Sequence, residues 1–169
     1  MPSIDLRISV RHFPFRERSM QQYLSGLLAA LAAEFNWSFD LAVSVWICGD
    51  RAMRRLNRSY RGLDRPTDVL SFPQETLYNG RRAGKKEKDS KVHQPVLLGD
   101  VVIDWPYACR QARRYNVTED AELERLAVHG MVHLAGFDHE RSSKEEALME
   151  KWEKRVLYRL KKEGHRLRK

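Results

Sequence analysis

The sequence of 169 residues contains little cysteine and no long apolar run. Its two cysteines, Cys48 and Cys109, lie far apart in apolar surroundings and form no CxxC pair, which predicts reduced, buried thiols of a cytoplasmic protein rather than a disulfide framework. No stretch approaches 18 uninterrupted apolar residues, so a membrane-spanning helix is not expected. The first residues, MPSIDLRISVRHF, alternate apolar and polar side chains as a strand does, and they lack the apolar segment of a secretory signal.

Positive charge is concentrated in two segments. The formal net charge is +8, and residues 151–169 hold nine Lys and Arg against two Glu, while residues 81–91 hold six against two acidic residues. The rest of the chain is slightly acidic. Localised basic runs favour a polyanionic partner that is bound through its phosphates. A solvated tail and a solvated loop explain the same charge equally well.

Strand and helix periodicities alternate along the chain. Strand patterns lie at 4–10, 41–48, 69–72 and 95–104. Helical patterns lie at 16–35, 50–60, 118–135 and 144–162, and a further helix is predicted to follow Asp104, with Pro106 in its first turn. This order predicts a mixed α/β (α+β) fold with one sheet flanked by about five helices. We assign residues 1–163 to a single domain, in which 74–95 form a polar, basic loop insertion. Residues 164–169 form a basic C-terminal tail.

Helix starts are predicted from residues that can accept a hydrogen bond from the first turn. The three predicted caps are Asp50, Asp104 and Thr118. In the helix that follows position 50, the spacing of Met53, Leu56 and Tyr60 predicts that all three side chains point inward.

Three histidines lie close together in HGMVHLAGFDH, residues 129–139. His129 and His133 are four residues apart on a predicted helix and therefore stack one turn apart. Gly136 can end that helix and reverse the chain, which brings His139 back toward the pair. Histidine pairs alone are more often structural, but the full H-x3-H-x2-G-x2-H spacing matches the ligand positions of metzincins. Three imidazoles with one open position are typical of catalytic zinc, so we predict one zinc ion per chain here.

Gly130 separates this segment from a zinc peptidase. Peptidases of this pattern carry H-E-x-x-H, in which the Glu beside the first histidine is the general base. Glycine cannot take up a proton, and we expect its lack of a side chain to leave room beside the metal. Peptide hydrolysis is therefore disfavoured. A metal ion with an open position can still polarise a phosphoryl oxygen or lower the pKa of a bound water to about 7, which favours phosphodiester chemistry.

Three segments of the sequence resemble the YbeY family of rRNA maturation endoribonucleases. They are NRSYRGLDRPTDVLSFP at 57–73, LLGDVVID at 97–104 and HGMVHLAGFDH at 129–139, in the order of the family. The resemblance implies a zincin-like fold with a small four-stranded mixed sheet, zinc as the metal and a cytoplasmic location. It also implies a metal-dependent endoribonuclease specific for single-stranded RNA, which acts with the ribosome or small subunit in small-subunit rRNA processing and ribosome quality control.

The resemblance assigns the three histidines as metal ligands and places Arg61 near the metal. A guanidinium can hold a phosphate through two hydrogen bonds, although from the residues alone a solvated arginine at a helix end is the commoner case. Asp100 follows Gly99, where a β-bulge can turn a side chain toward a site, and the family match on GD makes Asp100 a second catalytic candidate. Asp68, first of all a turn residue, and Asp138, a possible acceptor for a ring nitrogen, are weaker candidates.

Two other functions are compatible with parts of the sequence. A ribosome-assembly factor that binds RNA and holds a mainly structural metal would use the same basic segments. A peptidase is disfavoured by Gly130. The last helix carries cations at i+4 or near-i+4 spacing, which form either an RNA-binding face or a solvated one: Lys151, Arg155, Arg159 and Lys162.

Overall fold

A computed structural model of the chain describes residues 2–82, 95–139 and 142–167. The helices are α1 Glu17–Phe35, α2 Asp50–Arg61, α3 Trp105–Tyr115, α4 Glu119–Leu134 and α5 Ser143–Lys162. The strands are β1 Ser3–Ile8, β2 Leu41–Cys48, β3 Val69–Pro73, β4 Leu77–Tyr78, β5 Arg81–Arg82 and β6 Val96–Asp104. No helix in these ranges is long and apolar enough to cross a membrane.

Four strands form the main sheet in the order β1-β2-β6-β3. Strands β1, β2 and β6 are parallel, and β3 pairs antiparallel with β6 at the edge. The mixed sheet and its flanking helices confirm the predicted fold class. The pairing of β2 with β6 shifts register between Ala42 and Val43, where Leu98 is the additional residue. Gly99 has φ +148° there, which confirms the predicted bulge.

The main core lies between the sheet and the helices α1 and α4, and α5 packs against both of these helices. Val101 and Ile103 of β6 point into it, together with fully buried leucines of α1 and α4. A smaller cluster lies on the opposite face under α2 and contains Met53 and Val102. Because neighbouring residues of a strand point to opposite faces, β6 contributes to both clusters. Each fully buried leucine contributes about 2 kcal/mol to stability.

Two of the three predicted caps are confirmed. Asp104 accepts a hydrogen bond from the Tyr107 backbone N–H, and Thr118 accepts one from Ala121. The prediction for Asp50 is wrong, because α2 is capped by the backbone of Gly49 and has no side-chain cap bond. The Asp50 carboxylate instead pairs with Arg110 of α3.

Tyr60 also differs from its prediction. Met53 is fully buried, but Tyr60 is 68% exposed. It lies in the last turn of α2, where its ring meets Phe72 of the edge strand β3 at 4.8 Å. Helical spacing places Tyr60 on the side of α2 that faces the sheet. At the end of the helix, however, its ring extends past the edge strand β3, where little of the protein covers it.

Within the predicted loop insertion at 74–95, residues 77–82 form a short hairpin of β4 and β5. The Gly80 backbone N–H donates to the Ala135 carbonyl at 2.8 Å, and the Gly80 carbonyl accepts from the Trp37 ring at 2.6 Å. The hairpin therefore packs on the turn after α4. Residues 83–94 of the insertion lie outside the described residues.

The described part of the C-terminal tail packs on the body of the protein. Leu167 is buried, and its backbone N–H donates to Glu124 of α4 at 3.1 Å. The His165 ring lies against Gly26 of α1, where a Cβ would approach it to 2.6 Å. Residues 164–167 are therefore more than a solvated basic segment.

Candidate metal centre

The three histidines converge at the C-terminal end of α4. One ring nitrogen from each of His129, His133 and His139 lies within 4.8 Å of the others. The ring centroids are 4.7 to 5.2 Å apart. All three residues are partly buried, so the cluster is neither sealed in the core nor fully open to solvent.

The local sequence explains this convergence. His129 and His133 share one side of α4 because they are four residues apart. Helix α4 ends at Leu134, and Gly136 then adopts φ +88° and reverses the chain. A Cβ at Gly136 would lie 2.2 Å from the Leu77 carbonyl oxygen, so the hairpin and the reversal both require glycine. Three residues later, His139 faces the pair.

Two of the rings are oriented through Nδ1. His129 Nδ1 lies 2.7 Å from a carboxylate oxygen of Glu153 on α5, and His133 Nδ1 lies 2.8 Å from the Phe137 carbonyl. With Nδ1–H donated to these acceptors, Nε2 of both rings is left as a lone-pair ligand. Burial, together with the neighbouring imidazoles, lowers the pKa of His133 to about 4, so that ring is neutral at neutral pH.

Residues from α2, β3 and α4 line one groove of about 900 Å³ that contains the histidine cluster. Arg61, the last residue of α2, is exposed and lines this groove. Thr67, Asp68 and Ser71 contribute to the wall between Arg61 and α4. The structure therefore brings the predicted arginine and the predicted metal ligands to one cavity.

Known proteins of one family are similar to this chain. The sequence model of the family described as Endoribonuclease YbeY matches residues 6–161. An "Endoribonuclease YbeY" from Aquifex aeolicus is 41% identical over 123 residues, which cover 73% of either protein. One from Heliobacterium modesticaldum is 37% identical over 155 residues, which cover 88% of this chain and 90% of that relative. The chain belongs to the YbeY family.

A solved structure supports the fold of this YbeY-family chain. The solution structure of a protein from Thermotoga maritima matches it with a TM-score of 0.56 at 23% identity. The match covers 96% of this chain and 93% of that protein. At this identity the likeness concerns the fold alone.

Asp100 lies apart from the histidines. It is next to Val101, which faces the main core below α4, and therefore points to the opposite face of the sheet. Asp100 is absent from the groove lining among the described residues, and its carboxylate accepts a hydrogen bond from Gln74 at 2.7 Å. Gln74 does line the groove. Asp100 therefore contacts a residue of the groove without lining the groove itself.

Gly130 faces the sheet. A Cβ at this position would lie 2.6 Å from Val101 Cγ1 and 3.3 Å from Ser71 Oγ. The Ser71 hydroxyl also donates to the Gly130 carbonyl at 3.1 Å. The expectation of spare room beside the metal is wrong, because β3 and β6 fill that space. The glycine lets α4 approach the sheet closely, and a glutamate would not fit without moving β6.

Two residues of the site were missed by the sequence analysis. Glu153 orients His129 but lies 24 positions away on another helix, and no local pattern connects the two. Arg125 lines the groove one turn before His129, so its i−4 spacing was a usable signal. Its guanidinium is held by two hydrogen bonds to Glu122, at 3.0 and 2.6 Å, and lies 3.6 Å from Asp68.

Asp68 has a more definite place than its sequence suggested. Its carboxylate accepts hydrogen bonds from the Val69 backbone N–H at 2.9 Å, from Thr67 at 3.2 Å and from Gln111 at 3.1 Å. These bonds connect the turn before β3 with α3, while Arg125 connects it with α4. Asp68 therefore both forms the turn and fixes one wall of the groove.

Proposed function

We propose that this chain is a metal-dependent endoribonuclease that cleaves single-stranded RNA. The observation that carries the proposal is the shared groove, in which the three histidines and Arg61 face one space. The family name of the relatives, Endoribonuclease YbeY, supports the reaction class. We further propose small-subunit rRNA as the substrate, with ribosome quality control as its cellular setting.

The donor set fits one zinc ion. His129 and His133 have their Nδ1 atoms at oxygen acceptors, and the buried Nδ1 of His139 has no hydrogen-bond partner among the described residues. Three imidazoles that line a groove match a zinc site with a free position better than a closed structural site. When bound, the ion supplies Lewis acidity toward a phosphate oxygen and toward water.

The chain's own residues bind and orient the phosphate. Arg61 projects from the C-terminal end of α2 into the groove, where its planar guanidinium can hold two phosphate oxygens. Such a positioned donor stabilises charge that develops on these oxygens during cleavage, and its loss typically lowers kcat about 10²-fold. Glu153 and the Phe137 carbonyl keep two of the imidazoles in orientation.

Cleavage of a labelled single-stranded rRNA fragment tests the proposal. Wild type, Arg61→Ala and His133→Ala are purified free of contaminating nuclease, and the bound metal is measured by mass spectrometry. We expect one metal ion per wild-type chain, cleavage slowed about 10²-fold in Arg61→Ala with its metal retained, and loss of both metal and cleavage in His133→Ala. Equal cleavage by all three proteins would contradict the proposal.

The proposed role in small-subunit rRNA processing is tested separately, in cells. Cells without this gene should accumulate small-subunit rRNA with unprocessed ends, which wild type removes and His133→Ala does not. Correct rRNA ends in the deletion strain would refute the rRNA assignment and leave the nuclease assignment standing.

A further inference from the structure

The rim of the groove carries an aromatic pair with one exposed member. Tyr60 and Phe72 lie 4.8 Å apart at an interplanar angle of 59°, and both line the groove that contains the histidines. Tyr60 is 68% exposed, so much of its ring is open to solvent. Exposed aromatic rings beside arginine are the usual partners of unstacked nucleobases.

The outer side of the same helix is basic. Met53 and Asn57 face the sheet, while Arg51, Arg55 and Arg58 lie on the opposite side of α2 at i+4 and i+3 spacing. We call these three residues the arginine face. All three are exposed, and none forms an ion pair with a carboxylate in the described ranges 2–82, 95–139 and 142–167.

Other arginines of α2 and α5 bind carboxylates of the protein itself, unlike the arginine face. Arg54 is held by Asp64 through two hydrogen bonds of 2.9 and 2.8 Å. On α5, Arg155 and Arg159 both bind Glu34, at 2.7 and 2.6 Å. The α5 stripe predicted as a possible RNA-binding face therefore has two of its arginines tied to the protein. The arginine face of α2 retains its charge for an anion from outside.

We propose that a single-stranded RNA which extends beyond the groove passes Tyr60 at the groove, crosses the last turn of α2 and is bound by the arginine face on the outer side of that helix. The inference rests on the proposed function. Phosphates of the extension contact Arg51, Arg55 and Arg58, and one base stacks on Tyr60. Helix α2 is about 18 Å long, which suits a few successive nucleotides. RNA that reaches past the groove is thus bound more tightly than RNA that only fills it.

Binding of a fluorescein-labelled single-stranded RNA of about 20 nucleotides tests this surface, with anisotropy measured over a range of salt concentrations. The variants are the triple change Arg51→Gln, Arg55→Gln, Arg58→Gln and the single changes Tyr60→Ala and Tyr60→Phe. We expect the triple variant to bind at least about tenfold more weakly and to lose about 2 units of salt dependence, since each single-strand phosphate contact contributes about 0.7. Tyr60→Ala should lose about tenfold, and Tyr60→Phe should bind like wild type.

A matched control removes the same charge elsewhere. Arg11→Gln, Arg16→Gln, Arg18→Gln changes three exposed arginines outside the groove lining and outside α2 and α5, and should leave binding within about twofold of wild type. Equal weakening by both triple variants would mean that net charge alone matters, which overturns the proposal. Unchanged binding by Tyr60→Ala, or equal affinity for a duplex of the same length, would overturn the stacking of a base on Tyr60.

Binding and cleavage assays distinguish a failure of the RNA-binding surface from a failure of the proposed nuclease function. The binding assay needs no cleavage, so a protein that shows these variant effects but cuts no RNA contradicts the proposed function and supports the surface. Conversely, the triple α2 variant should still cleave an oligonucleotide of about four nucleotides at the wild-type rate, because such a substrate fills only the groove. A parallel loss on the short substrate would contradict a role limited to the extension.

Discussion

Glu153 and His129 are neighbours only in the folded chain. The carboxylate lies 2.7 Å from Nδ1 of the imidazole, and both side chains are about one fifth exposed. A carboxylate in this position fixes the ring tautomer and makes Nε2 a better metal donor. We therefore assign Glu153 as a positioning residue.

Replacement of Glu153 by Ala should weaken metal binding about 10- to 100-fold, because His129 loses its fixed tautomer and orientation. Competition with a chromophoric chelator measures the affinity, and Glu153→Gln should restore part of it through the amide oxygen. Glu150→Ala is the matched control on the same helix, since Glu150 is exposed and pairs only with Lys154 among the described residues. Equal metal affinity of Glu153→Ala and Glu150→Ala would refute the positioning role.

Gly130 allows close packing of α4 on Val101 of β6. Gly130→Ala should destabilise the protein by about 1–3 kcal/mol, because the new Cβ meets Val101 Cγ1 at 2.6 Å. In a Val101→Ala background, the same change should cost less, since the blocking methyl group is gone. Urea unfolding of the four proteins gives the coupling free energy. If the losses in the free energy of unfolding from the two substitutions were strictly additive, the contact with Val101 would be unimportant.

At the scale of elements, the position of His139 depends on the turn after α4 and on the hairpin that packs against it. Gly80 binds Ala135 through the backbone, and Gly136 approaches Leu77 closely. The third histidine is therefore held by a contact between two segments that are distant in sequence.

Gly136→Ala should disturb both stability and metal binding. Gly164 also has a positive φ, +79°, but a Cβ added there would meet no atom within 4 Å, so Gly164→Ala measures the conformational cost alone, about 1–2 kcal/mol. Gly136→Ala adds the contact with the Leu77 carbonyl and should cost clearly more, with weaker metal binding because His139 moves. Chemical unfolding and metal titration provide the two readouts. Identical results for both variants would contradict the contribution of the hairpin.

The start of α3 carries a buried carboxyl group. Burial and, to a smaller extent, the nearby Asp50 carboxylate raise the pKa of Asp104 to about 7, while the hydrogen bond from the Tyr107 backbone and the charge of Arg110 oppose this rise. An acid with a higher pKa in the folded state binds more protons when folded. Its contribution to the free energy of unfolding therefore falls as the pH rises from about 4 to about 7.

Asp104→Asn should remove this penalty and keep the cap, because the amide oxygen can still accept from Tyr107. The variant and wild type should have similar Tm values near pH 4, and the variant should be more stable by a few degrees above pH 7. Asp5→Asn, an exposed position on β1, controls for loss of one charge. A Tm difference that stays constant across this pH range would contradict the raised pKa.

At the scale of the whole molecule, local patterns predicted most elements and the histidine cluster. Periodicity located α4, and the i+4 pair with Gly136 is a local geometry, so the convergence of the ligands followed from a short segment. The Asp50 cap and the inward Tyr60 were wrong because each depends on distant partners. Asp50 binds Arg110 sixty residues later, and Tyr60 lies past the cover of the sheet edge.

The strand order explains what a local pattern could not predict. Placing β6 between β2 and β3 sets which side of β6 faces α4, and this separates Asp100 from the histidines although both lie in family motifs. The same packing brings α5 over α4 and delivers Glu153 to His129. These contacts join segments far apart in sequence, and no spacing rule within one element encodes them.

In the proposed function, RNA cleavage depends on one metal ion held by His129, His133 and His139. Protein stripped with a chelator is titrated with zinc, and the rate of cleavage of a single-stranded RNA is followed at each addition. We expect no cleavage without metal, a rate that rises to a plateau at one equivalent, and no recovery in His133→Ala. Full cleavage by the stripped protein, or equal recovery in His133→Ala, would contradict this dependence on the metal.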